Sequence, residues 1–108
     1  MSAAKPIVRL GVLDRGETAV RVLNAVGDLN QIGDAPPIAT VLFHREREPQ
    51  PWYGREADDA RALPAEGASD AAVVACLARA QVDTLWLGEW TPGSRCDFVA
   101  ACEAAGIA

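Results

Sequence analysis

Short aliphatic runs that alternate with stretches of helical spacing leave this chain few folds to choose from. The first run, Ile7 to Leu13, is rich in β-branched residues and has the length of a strand covered on both faces. It breaks at Asp14-Arg15-Gly16-Glu17, after which Ala19, Val22, Leu23, Val26 and Leu29 recur at helical spacing, with Glu17, Arg21, Asn24 and Asp28 on the other faces. Gly33, Pro36 and Pro37 stop that helix before a second strand, Ile38 to Phe43. The turn Ala57-Asp58-Asp59-Ala60 precedes Arg61 to Pro64, a weak edge strand. Ser69 and Asp70 read as the cap of a second helix with Val73, Val74, Leu77 and Ala78 on its buried side. A third aliphatic strand, Thr84 to Leu87, leads through a loop to a last helix that carries Phe98, Val99, Cys102 and Ala105 and ends at Gly106. This order predicts a Rossmann-like three-layer α/β/α fold with a mostly parallel sheet, in one domain over residues 1–108.

The chain has 108 residues, half of them hydrophobic, which suffices for one compact core. Ten Lys and Arg against 15 Asp and Glu leave a formal charge of −5, so a nucleic-acid or anionic-lipid partner is not expected. The longest apolar stretches, Ile38 to Phe43 and Ala71 to Ala78, are far shorter than the ~20 residues of a membrane span. Met1 to Lys5 lacks the apolar core of a secretory signal, and a cytoplasmic, soluble protein is the expectation. Cys76, Cys96 and Cys102 form no Cys-x-x-Cys pair; they read as reduced helix thiols, with Cys96 a buried or half-buried structural residue.

Open parallel sheets receive ligands and partners at the carboxyl ends of their strands, here the turn Asp14 to Glu17, the loop His44 to Glu56 and the loop Gly88 to Ser94. Trp52 and Tyr53 in the second of these are candidates either for a contact surface or for tucking the loop onto its own domain. The first turn holds one glycine, where a dinucleotide fingerprint needs three, and no Walker motif follows. Asp14 and Glu17 instead have the spacing of a capping box, with Gly16 supplying backbone freedom. His44 reads as an exposed imidazole and Asp58-Asp59 as a solvated turn. No catalytic residue and no metal ligand set emerge from these residues alone.

Three segments resemble one family. Val8 to Arg21, with Asp-Arg-Gly-Glu after a strand and Arg21 on the first helix, resembles the opening of the biotin carboxylase component of biotin-dependent carboxylases, where Asn-Arg-Gly-Glu-Ile-Ala stands. Arg55 to Ala60 resembles its Ala-Asp-Glu-Ala stretch, and Asp97-Phe98 with Ala101 to Ile107 resembles its Glu-Ala-Cys-Glu-Ala-Ala-Gly-Ile helix. Trp86 and Gly88 look most like the subgroup fused into single-chain acyl-CoA carboxylases.

The resemblance implies the pre-ATP-grasp type of fold and a ligase in which ATP, magnesium, bicarbonate and biotin are handled chiefly by other domains. None of these is expected to bind this chain alone. It further implies an ATP-grasp domain and a biotin carrier domain as partners. Asp14, Arg15, Gly16, Glu17, Gly88, Glu89 and Trp90 would face that partner or the ligand, and Arg21 would contact a second copy. The loop after Gly88 departs from the family: Trp90 stands at its second glycine and Ser94 at its glutamate. That departure supports an alternative, a non-catalytic scaffold or assembly domain of a carboxylase complex.

Overall fold

The computed structural model describes residues 7–14, 16–33, 36–45, 57–64, 68–88 and 95–108. Trp52 and Tyr53, with most of the His44 to Glu56 loop, lie outside them. The elements run β1 (Arg9–Leu13), α1 (Gly16–Ile32), β2 (Ala39–His44), β3 (Asp59–Ala62), α2 (Asp70–Arg79), β4 (Thr84–Leu87) and α3 (Arg95–Ala104). Among the described residues the sheet has four strands in the order β3-β2-β1-β4, every neighbouring pair parallel. The chain is thus an α/β protein of Rossmann-like type.

Topology dictates the layering. The crossover through α1 steps from β1 to β2, and the one through α2 returns across the sheet to β4. Right-handed crossovers in opposite directions lie on opposite faces. Alternation along each strand then divides the apolar side chains. Leu10, Val12 and Leu42 meet Ala19, Leu23 and Val26 of α1. Leu13, Val41 and Phe43 meet Val73, Val74 and Leu77 of α2, Phe98 and Cys102 of α3, and Ile107. Gly11 belongs to this second face, where a Cβ would lie 3.1 Å from the Phe43 ring, so glycine is what lets that ring lie across β1.

Several expectations are corrected. Leu29 was expected on the buried side of the first helix and is 58% exposed, as Ile32 is at 66%. A helix of 17 residues spans about 25 Å, whereas a strand of five covers about 17 Å, so the last turn of α1 overhangs the sheet. On α2 it is Cys76, not Ala78, that is buried. The third strand is Asp59–Ala62 and not Arg61 to Pro64. Its start is pinned where the Asp58 carboxylate accepts from Thr40 N (2.8 Å) and Oγ1 (3.3 Å), and Pro64 has no N–H to extend it. Asp58 is exposed, as expected of a solvated residue, but it clamps Thr40, and Asp59 opens β3 instead of standing in a turn. Cys96 is exposed, because it lies in the first turn of α3 on the side away from α2 and the sheet; all three thiols are free. His44 is half-buried, its Nδ1 2.9 Å from the Arg45 carbonyl.

The amino-terminal edge of the sheet is held by polar clamps. Asp83 Oδ2 accepts from the N–H groups of Val8 (3.0 Å) and Arg9 (2.9 Å), and the Asn30 amide binds both N and O of Ile38. Arg9 donates to Ala80 O at 2.7 Å and pairs with Asp59 at 3.6 Å. The Arg61 guanidinium beside Asp59, aided by the Ala60 N–H and by Arg9, holds the Asp59 carboxyl below the usual range, partly offset by burial. A lowered folded-state pKa means the pair stabilises above the unfolded value near 3.9 and is lost as pH falls through the folded value. Asp59→Asn should therefore lower stability by less than about 1 kcal/mol at pH 7. The difference should shrink in acid, as thermal melts at pH 7 and pH 2.5 would show; an equal penalty at both would remove the ion pair as its cause.

Ser69 is the cap expected for the second helix: its hydroxyl accepts from Ala72 N at 3.2 Å with extended backbone. Ser69→Ala should destabilise the domain by about 1 kcal/mol in a urea titration, whereas Ser69→Asp should restore most of that.

Candidate functional site

Because every strand is parallel, the segments leaving β1, β2 and β4 emerge at one end of the sheet. The chain leaves β1 for α1 on one face and β4 for α3 on the other, so the gap between these neighbours is the topological switch point. Two contacts fix it. Gly88 N donates to Leu13 O at 3.1 Å, continuing the β1–β4 pairing past the last strand residue. This sets Gly88 against the Asp14 carboxylate so closely that any Cβ at residue 88 would overlap it. Asp14 is only 6% exposed, and Trp86 Nε1 donates to its Oδ2 at 3.4 Å, a long bond.

Trp86 is the residue here that sequence reasoning left out of the site. It is paired in register with Val12, so its indole shares the α1 face of the sheet, but α1 lies over β1 and β2 and leaves it 46% exposed. The parity of β4 was the available signal: Leu85 and Leu87 pack on the α2–α3 face, which sends Trp86 to the opposite one.

The predicted residues separate as follows. Asp14 and Gly88 are brought into contact. Gly16 opens α1 with φ +64°, the left-handed conformation that favours glycine. Glu17 stands exposed in the first turn of α1, where its charge complements the positive end of the helix dipole. Arg21 is exposed one turn further along the same side. Arg15, Glu89 and Trp90 lie outside the described residues. A capping box would place Asp14 directly before the helix, but α1 begins two residues on, at Gly16, and the Asp14 carboxylate meets β4 through Trp86 and Gly88.

The arrangement suits a contact surface. Among the described residues no group of three His, Cys, Asp or Glu stands together to hold a metal ion. Burial, reinforced by Asp70 and Glu103, pushes the Cys102 thiol up, away from the thiolate a nucleophile needs. Among the described residues no helix is long and apolar enough to cross a membrane.

No protein-family model and no curated protein sequence matches the chain. Solved structures do. A complete multifunctional pyruvate carboxylase from Rhizobium etli is 24% identical with a TM-score of 0.74 over 95% of this chain and 10% of its own. The biotin carboxylase domain of a single-chain bacterial carboxylase is 27% identical with a TM-score of 0.72, over 93% of this chain and 23% of that one. A single-chain, multi-domain long-chain acyl-CoA carboxylase is 24% identical with a TM-score of 0.69, over 93% and 10%. The chain thus spans between a tenth and a quarter of the length of these proteins. With the parallel sheet, the α1 and α2–α3 layers and the β1–β4 junction in place, this chain has a fold shared with the biotin carboxylase domains of biotin-dependent carboxylases.

Proposed function

We propose that this chain serves as the N-terminal domain of a biotin carboxylase-like ligase, one that carboxylates biotin with bicarbonate and ATP within an acyl-CoA carboxylase. By itself it is inactive. The observation that carries the reading is the likeness to the biotin carboxylase domain of a single-chain bacterial carboxylase over nearly the whole of this chain. Asp14 to Glu17 and the segment Gly88 to Trp90 would form the face toward an ATP-grasp domain, with the exposed Trp86 indole as its apolar anchor. In this reading ATP and magnesium are not held by this chain alone. The described residues bring no metal-ligating group together, and a single glycine opens α1 where a phosphate loop would need more. Those groups, and the biotin carrier domain, belong to the remainder of such an enzyme.

The test is reconstitution: this chain is co-expressed with the ATP-grasp and C-terminal parts of a biotin carboxylase, and bicarbonate-dependent ATP cleavage is followed with free biotin. A stable complex with restored cleavage is the expected result, and failure to associate would falsify the reading. In the active complex Trp86→Ala should weaken association about tenfold or more, consistent with the loss of a buried aromatic anchor.

The second reading, a non-catalytic scaffold domain, is favoured by Trp90 and Ser94 where the family carries glycine and glutamate. A complex that assembles without cleaving ATP supports it, and Trp90→Gly with Ser94→Glu would then be expected to raise cleavage if the loop alone is impaired. A contact between copies at Arg21, on the exposed side of α1, accompanies either reading. Arg21→Glu should shift the sedimentation profile toward monomer, whereas an unchanged profile removes Arg21 from any such contact.

A further inference from the structure

We draw no further inference here: the strongest candidate, the apolar groove of about 180 Å³ between the outer edge of β4 and helix α3, lined by Leu85, Leu87, Phe98, Val99, Cys102 and Ile107, is bordered by the chain's own Ala108 bonded to β4, and nothing in the structure shows what covers the rest.

Discussion

Gly88→Ala is expected to destabilise the domain by about 2–4 kcal/mol, a large effect for one methyl group at the end of an edge strand. The methyl has to enter space held by the Asp14 carboxylate. Asp14 cannot yield cheaply: its side chain is short, it is 6% exposed, and moving it breaks the Trp86 bond. Gly88 cannot yield either, because its N–H is committed to Leu13 O at 3.1 Å. The steric origin can be separated from a backbone effect with a double-mutant cycle. Asp14→Ala alone should cost about 1–2 kcal/mol, since the half-exposed indole N–H can turn to water. Gly88→Ala added to Asp14→Ala should then cost at least about 1 kcal/mol less than it does in the parent. Strict additivity in urea titrations would mean that the two residues do not share this space.

Phe43→Ala should cost about 3–5 kcal/mol, a large fraction of the about 5–15 kcal/mol by which such domains are commonly stable. Phe43 is 2% exposed on the face covered by α2 and α3, and it is among the largest fully buried side chains with Phe98. Its ring lies against the bare backbone of Gly11, so the cavity left by truncation is bounded by a strand of the central pair, which has little freedom to collapse. The urea midpoint should fall with the slope unchanged, showing lost packing rather than an altered denatured state. A penalty under about 1 kcal/mol would mean that Phe43 does not carry the second core. Trp86→Ala on the opposite face makes the control: with its indole 46% exposed, it should cost much less stability while still weakening partner association.

Much of the fold could be read from local pattern. The aliphatic run ending at Leu13, the period of Ala19, Leu23 and Val26, the Ser69 cap and the Thr84–Leu87 strand all stand where the residues place them. Each is governed by interactions within a few residues: β-branched packing, a buried helical stripe, and a hydroxyl satisfying an orphan N–H. Two of the misses have tertiary causes. Leu29 has the right period but lies beyond the end of the strands that could cover it, and β3 starts two residues early because Thr40, 18 residues away, captures Asp58. Neither the overhang of a helix nor a long-range clamp leaves a mark on local periodicity.

The candidate site shows the same division. That Gly16 would supply backbone freedom, and that Glu17 and Arg21 would stand on the outer side of α1, was legible because both follow from one helix and its first turn. The meeting of Asp14 with Gly88, and the exposure of Trp86 beside them, was not. It depends on β4 returning to the edge of β1 rather than to β3, a choice made by the α2 crossover and by burial of Phe98 and Leu77 on the far face. The sequence by itself therefore determined the elements, their order and the parallel α/β class, since these rest on short-range patterning. Only the tertiary structure decided which side chains share space at the switch point, because strand order is set by cooperative burial of the whole core and has no local signature.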